Sequence, residues 1–274
     1  MSKGSVRTFE FRNGKADPLG GAESMNMASF SLPQGSYTTL RTYGGRRVLR
    51  LGQHLRRLEE SVELQGQAGG IRDDEARRAL AEALLAEGRA ESRVRLTFAP
   101  PRLFAAVEEF VPFESRAYTE GVACLTVDVQ RRNPRAKDTR FIATSSETYR
   151  ALPTGVNEGL LIADDGSVLE GLSSNFFAVL RGVLRTERAR VLLGVTRSLV
   201  LELAARAIPI EETAIHREDL PNVAECFLTS VSREVLPVVR IDGRDVGDGH
   251  PGPMTREIMT RFAALVETGA EALF

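Results

Sequence analysis

The chain has 274 residues, 42% of them apolar, and a formal charge of −1. That is apolar material for one large core or two modest ones, without the net positive field that would recruit nucleic acid or an anionic lipid surface. No apolar run approaches the roughly 20 residues that a bilayer-spanning helix needs. The opening residues 1–7 lack the apolar stretch of a secretion signal. Cys124 and Cys226 lie far apart without metal-ligand spacing, so buried thiols, a reducing cytoplasmic setting and no bound metal are expected.

Val6 to Arg12 read as a short strand ending at the Asn13-Gly14 turn signal. Residues 37–50 predict a hairpin about Gly44-Gly45. Leu51, Leu55, Leu58 and Val62 then recur at helical spacing, and a second helix is expected over 73–87. Strands follow at 93–98 and 103–111, with Pro100-Pro101 making the turn. Residues 112–121 form a seam, so the expected division is a small lobe of 1–117 and a larger lobe of 118–274. The larger lobe opens with a strand at 122–127 and a helix at 139–152. Strands at 159–163, 175–180 and 183–186 lead to a helix from Thr196 to about Ala207. Strands at 225–229 and 235–241 follow, then Gly252-Pro253 and an amphipathic helix carrying Ile258, Phe262 and Leu265. The absence of a regular β-α-β alternation favours α+β over a doubly wound sheet.

Of the 36 basic residues only Lys3, Lys15 and Lys137 are lysines. Arginine stays protonated at any working pH, whereas an amine can deprotonate and condense with a carbonyl. A general arginine bias accounts for the excess. It leaves open whether Lys137 survives by chance or for its chemistry. Glu170 lies in the apolar stretch Val168-Leu169-Glu170-Gly171-Leu172, where a carboxylate is costly unless it has a partner. Gly194-Val195-Thr196 opens a helix and offers bare amides and a hydroxyl to an anion. An ordinary cap by Thr196 is the alternative. His54 reads as a helix-start packing residue, and His216 and His250 as surface residues.

Lys137, Glu170, Gly194-Val195-Thr196 and the strand running from Phe227 through Thr229, Ser230, Arg233 and Glu234 to Pro237-Val238 come in one order. With Gly35 to Arg41 and the Gln53-His54-Leu55-Arg56-Arg57-Leu58 helix start, this order resembles class IV aminotransferases. That family comprises branched-chain aminotransferases, D-amino-acid transaminases and aminodeoxychorismate lyases, and the resemblance covers roughly residues 35–260. It implies a small α+β lobe, a larger pseudo-barrel lobe, pyridoxal 5'-phosphate in the cleft between them, and a homodimer.

The resemblance also implies roles. Lys137 would hold the cofactor covalently and move a proton between the substrate Cα and the cofactor C4′. Glu170, braced by Ser173 and Asn175, would keep the ring nitrogen protonated. Arg57, the amides of Val195 and Thr196, the Thr196 hydroxyl and Ser230 would hold the phosphate, with Leu192 against the ring face. Val231 stands where relatives carry threonine, so that hydroxyl is missing or comes from Ser232. Tyr37, Arg41 and Ser232 are the expected substrate contacts. Tyr37, Thr39 and Arg41 share one strand face, and a carboxylate-binding role for Arg41 stands against a plain surface position.

The family's Asn-Tyr pair after the lysine is replaced by Asp138-Thr139-Arg140-Phe141-Ile142. Tyr37 and Arg140 are therefore the candidates for meeting the cofactor's phenolic oxygen. Thr97-Phe98-Ala99 departs from the Thr-Arg-Gly strand end of D-amino-acid transaminases. The expected activity is transfer of an amino group between an amino acid, L-branched-chain or otherwise apolar, and a 2-oxo acid. Aminodeoxychorismate lyase, D-amino-acid transaminase and a non-catalytic ligand-binding relative are the alternatives.

Overall fold

The computed structural model describes residues 6–274; the opening residues 1–5, with Lys3 and most of the stretch read for a secretion signal, lie outside the described residues. The chain divides into two compact units, Met1–Val111 with Ala136–Ala143 and Val266–Phe274, and Pro112–Arg135 with Thr144–Leu265. The change at Val111/Pro112 falls at the start of the seam, where the division was expected after residue 117. Residues 136–143 and 266–274, expected in the larger lobe, lie in the first unit.

The elements in chain order are β1 (Val6–Arg12), β2 (Lys15–Ala22), α1 (Met25–Ser31), β3 (Ser36–Tyr43), β4 (Arg47–Leu49), α2 (Leu51–Glu63), α3 (Asp73–Glu87), β5 (Ser92–Ala99) and β6 (Arg102–Glu109). Then come α4 (Ser115–Thr119), β7 (Val122–Val127), α5 (Phe141–Ala151), β8 (Val156–Ile162), β9 (Val168–Gly171), β10 (Asn175–Leu180), β11 (Val183–Arg185), α6 (Val195–Ala204) and β12 (Ile210–Glu211). A 3-10 turn (Arg217–Asn222), β13 (Val223–Ser230), β14 (Glu234–Ile241), β15 (Arg244–Asp245), α7 (Pro253–Gly269) and β16 (Ala270–Ala272) complete it.

In the first unit seven strands pair in the order β16-β4-β3-β5-β6-β1-β2, every neighbour antiparallel. Leu40, Val94, Leu96, Phe98, Leu103 and Phe9 of one face pack on Leu51, Leu55, Leu58 and Val62 of α2 and on Ala76, Leu80 and Leu84 of α3. Each fully buried leucine, valine or phenylalanine among them contributes about 1.5–3 kcal/mol. α3 opens on Asp73, Asp74 and Glu75, which suit the positive helix end, and stops at Gly88 in the left-handed region (φ 58°). β2 escapes a propensity reading because it carries Asp17, Pro18, Gly20 and Gly21. Such a strand is tolerated because β2 is an edge of the sheet.

The second unit is built on a barrel. Strands β10, β13, β14, β7, β8 and β9 are neighbours in that order, and a β9–β10 pairing closes the ring, with Glu170 opposite Asn175. The β14–β7 and β7–β8 pairs are parallel. Val122, Cys124, Leu160, Val168, Phe176, Cys226, Leu228, Leu236 and Val238 form its apolar cluster. Both cysteines are buried free thiols, as expected, and burial pushes both thiol pKa values up. Closure leaves no open edge across this ring. Among the described residues no helix is long and apolar enough to cross a membrane.

Candidate active site

Lys137 is fixed in the first unit by its main chain. Its carbonyl accepts from Tyr37 N–H at 2.8 Å, and its N–H donates to Ser61 Oγ at 3.2 Å. Thr139 N–H donates to Gly35 O at 3.0 Å, and Gly35 N–H donates back to Thr139 Oγ1 at 3.1 Å. Glycine is needed at this crossing, since a Cβ on Gly35 would lie 2.3 Å from the Phe98 carbonyl oxygen. Lys137 Nζ lies 4.8 Å from the centre of the Tyr37 ring. The Arg95 guanidinium stacks on the same ring at 4.9 Å and donates to Ser29 Oγ at 2.7 Å, Asn26 Oδ1 at 3.2 Å and Met25 O at 3.3 Å. Among the described residues no carboxylate pairs with Arg95, and its buried Nε makes no hydrogen bond.

On the opposite face of β3, Thr38 Oγ1 accepts from Arg57 Nη2 at 2.5 Å and meets His54 Nδ1 at 2.9 Å. Burial first, then the charges of Arg57 and Lys137, hold the His54 pKa well below the ordinary histidine range. His54 is thus a neutral packing residue, as expected. Burial lowers the Arg57 pKa to about 10. Among the described residues no carboxylate pairs with Arg57, and its buried Nε is unpartnered.

Arg41 corrects an expectation. It shares the Tyr37 face, but its guanidinium pairs with Glu91 at 2.7 Å and stacks on Tyr43 and Phe110 at 4.5 and 3.8 Å. That charge is already neutralised and desolvated by its own neighbours, which removes the ground for a substrate carboxylate there. Arg140, a candidate for the phenolic oxygen, is ion-paired with Asp138 and 63% exposed.

In the second unit Glu170 is 2% exposed. Its Oε2 accepts from Asn175 Nδ2 at 3.1 Å and from Leu192 N–H at 3.2 Å, while Arg131 Nη1 meets Oε1 at 2.6 Å. Asn175 Nδ2 also donates to Leu192 O at 2.7 Å, so Leu192 acts here through its backbone. Gly194 follows at the N-cap of α6, where a Cβ would lie 2.4 Å from Asn175 Oδ1. With glycine at the cap, no side chain caps the helix. The Thr196 cap considered as the alternative is not formed, and the first-turn amides of Val195 and Thr196 have no acceptor within the helix, as at any helix N-terminus. At the β13–β14 turn Ser230 Oγ accepts from Arg233 N–H at 3.3 Å, and Val231 and Ser232 are half-buried. The Thr229 hydroxyl, 1% exposed, has no hydrogen-bond partner among the described residues.

Ser173 does not brace Glu170. Its hydroxyl meets Tyr149 Oη at 2.6 Å and Arg233 Nη1 at 2.9 Å, because it points away from the Glu170–Asn175 pair into a second buried cluster around Glu158. Arg95 and Arg131 escaped the sequence reading, and Arg233 was read there only as part of the strand motif, without its partners. The alternation that puts Arg95 beside Tyr37 and Thr39 was available, since Thr39 pairs with Arg95 across β3 and β5. The Arg131 and Arg233 partners depend on barrel closure, for which no local signal exists.

The donors in each unit are of the types a phosphorylated pyridine aldehyde needs. In the first, Arg57 is a cation without a carboxylate partner among the described residues and Lys137 is an amine; in the second, α6 opens without a side-chain cap and Glu170 is a buried carboxylate held by Asn175, the Leu192 amide and Arg131. The amino-transferase class IV family model matches residues 35–241, most of the chain. The chain is 31% identical over 160 residues to a putative branched-chain-amino-acid aminotransferase of Methanocaldococcus jannaschii, covering 56% of each chain. It is 35% identical over 144 residues to a D-alanine aminotransferase of Bacillus licheniformis, covering 51% of this chain and 50% of that one. It thus spans about half the length of these curated relatives. A T.th. branched-chain amino acid aminotransferase with pyridoxamine 5'-phosphate has the same fold, with a TM-score of 0.82 at 21% identity over 100% of both chains. The Thermoproteus uzoniensis branched-chain aminotransferase with norvaline gives 0.78 at 24% identity, over 98% of this chain and 100% of that one. Family match and site chemistry agree, and the chain belongs to the class IV aminotransferase family.

Proposed function

We propose that this chain is a pyridoxal 5'-phosphate-dependent transaminase that moves an amino group between an amino acid and a 2-oxo acid. The observation that carries the reading is Lys137, an amine whose main chain is tied to Tyr37 and Ser61 and whose Nζ sits over the Tyr37 ring. Bound cofactor supplies a carbonyl for amine exchange and a ring that accepts the electron pair left at Cα. Lys137 would hold that carbonyl through its amine and would move the proton between the substrate Cα and the cofactor C4′. Glu170 holds a proton on the ring nitrogen. Asn175 and the Leu192 amide fix the carboxylate for that task. Arg57 and the α6 amides neutralise the phosphate, joined by Thr196, Ser230 and the turn at Val231. Tyr37 and Ser232 contact substrate, and Arg95 takes the carboxylate-binding role once expected of Arg41.

The substrate reading is an L-branched-chain or other apolar amino acid. D-amino acids are the second reading, favoured by the Bacillus licheniformis relative. The homodimer and the cytoplasmic setting belong to the same proposal. The test is reduction with borohydride after loading with pyridoxal 5'-phosphate. The label should be recovered on Lys137, and recovery on Lys15 or Lys3 refutes the assignment. A panel of L- and D-amino acids, followed through cofactor absorbance, then decides the stereochemistry.

A further inference from the structure

The second unit buries a charged cluster that the proposed chemistry does not use. Glu158 on β8 is 0% exposed, and Arg233, in the turn between β13 and β14, is 9% exposed. Arg233 Nη1 lies 3.2 Å from Glu158 Oε2 and donates to Ser173 Oγ at 2.9 Å, while Nη2 donates to Tyr149 Oη at 3.2 Å. Tyr149 donates to the other Glu158 oxygen, and Ser174 Oγ donates to Glu158 Oε2 at 2.8 Å. The guanidinium also lies 5.5 Å from the Phe113 ring centre, and Tyr118 Oη donates to the Arg233 carbonyl at 3.2 Å. One planar fork therefore ties the turn to β8, to α5 and to the segment between β9 and β10.

A buried ion pair is rarely worth more to stability than apolar side chains of the same volume, so its retention calls for a role in fixing an arrangement. The arrangement at hand is unusual. Ser230 pairs with Glu234 across the hairpin, and Glu234 takes a left-handed backbone (φ 54°) without being glycine. Such a conformation persists where surrounding contacts over-determine it. Arg233, the residue immediately before, supplies those contacts and also bonds back through its amide to Ser230 Oγ.

We infer that Arg233 is a positioning residue: its pairing with buried Glu158, half-buried Tyr149 and exposed Ser173 locks the Ser230–Glu234 turn in the shape that receives the cofactor's phosphate. This rests on the reading that the turn binds that phosphate. A turn held in advance loses no freedom on binding, so the pairing raises affinity for the phosphorylated ligand without touching it.

The experiment compares uptake of pyridoxal 5'-phosphate with uptake of pyridoxal, which lacks the phosphate but can still engage Lys137. It uses the wild type, Arg233→Met, and the double variant Glu158→Gln, Arg233→Met. Arg233→Met should weaken pyridoxal 5'-phosphate binding at least fivefold more than pyridoxal binding. It should also lower the melting temperature, because Glu158 is left buried and unpaired. The double variant removes that stranded charge, so its melting temperature should recover while the selective loss of phosphate-ligand affinity persists. Equal loss of both ligands, or affinity that returns together with the melting temperature, makes the cluster a stability element and overturns the inference. A wild-type protein that does not take up pyridoxal 5'-phosphate overturns the cofactor reading itself. A wild type that does, with variants whose ligand preference is unchanged, overturns only the role of Arg233.

Discussion

Replacing Arg57 with methionine should move cofactor affinity and fold stability in different directions. The side chain has one hydrogen bond, to Thr38 Oγ1, and no carboxylate partner among the described residues. Removing it forfeits about 0.5–1.5 kcal/mol for that bond. Thr38 keeps a partner, because its hydroxyl also meets His54 Nδ1 at 2.9 Å, so no buried group is orphaned. Against the lost bond stands relief from burying a cation, the same burial that lowers the Arg57 pKa from the ordinary arginine range to about 10. The sign follows from proton counting. Above about 10, up to the ordinary arginine range, the unfolded chain holds the proton that the folded chain has released, so the contribution of Arg57 to stability rises with pH there. At neutral pH both states are charged and the burial penalty is present in full. The apoprotein of Arg57→Met should therefore melt at or above the wild-type temperature. Phosphate binding loses a charge-assisted contact of about 1.5–3 kcal/mol, which is roughly a 10- to 150-fold rise in the dissociation constant. Titration of apoprotein with pyridoxal 5'-phosphate and a melting scan of the same samples measure both. An unchanged dissociation constant, or a melting temperature far below wild type, would refute the reasoning.

Glu170→Gln should leave cofactor uptake measurable but lower the single-turnover rate by orders of magnitude, since a neutral amide no longer holds the ring nitrogen's proton. It should also destabilise the fold by up to about 3–5 kcal/mol, because Arg131 loses its buried carboxylate. Glu225→Ala removes the acceptor for Met254 N–H, Thr255 N–H and Thr255 Oγ1 at the start of α7. A loss of about 1–3 kcal/mol in urea unfolding, with unchanged cofactor affinity, is expected. Hydrogen bonds from Arg102 first and Arg12 second hold the Glu10 pKa at about 2 instead of 4.5. The stability that Glu10 contributes is present above about pH 4.5 and lost as pH falls towards 2. Glu10→Gln should accordingly flatten the acid limb of the stability curve, and an unaltered limb would count against the pairing.

Where the apolar period was strong, the sequence was readable. Leu51, Leu55, Leu58 and Val62 mark the buried side of α2, and the alternation from Ser36 to Tyr43 puts Tyr37 and Thr38 on opposite faces of β3. Motif order singled out Lys137, Arg57, Glu170 and the start of α6 as candidates. What it could not supply were partners distant in sequence. Arg41 looked available for a substrate because Glu91 and Phe110 come much later in the chain. The resemblance placed Ser173 with Glu170, but the turn after Gly171 sends its hydroxyl to Tyr149 and Arg233. Lys137 follows the seam in sequence yet is held by Gly35, Tyr37 and Ser61. That tie is a β-bridge between Ser36 and Asp138 with no periodic pattern to announce it.

The distribution of arginine partners bears on why Arg57 and Arg95 stand apart. A desolvated guanidinium needs acceptors, and elsewhere in the interior a carboxylate provides them: Arg131 has Glu170, Arg197 has Glu212, Arg233 has Glu158 and Arg41 has Glu91. Those cations are spent on the fold, and an incoming anion would have to displace an existing partner. Arg57 and Arg95 are instead held by hydroxyl, amide and carbonyl oxygens and by the Tyr37 ring. Such neighbours orient a guanidinium without cancelling its charge, so the field at each stays positive and a ligand anion meets no competitor. The two lie on opposite faces of β3, one behind Thr38 and the other against Tyr37. That separation suits two anionic groups on different parts of a ligand pair, a phosphate for the first and a substrate carboxylate for the second. It also explains why exchanging the roles of Arg41 and Arg95 is more than relabelling. Both sit on the Tyr37 face, but only Arg95 retains charge that a substrate could use.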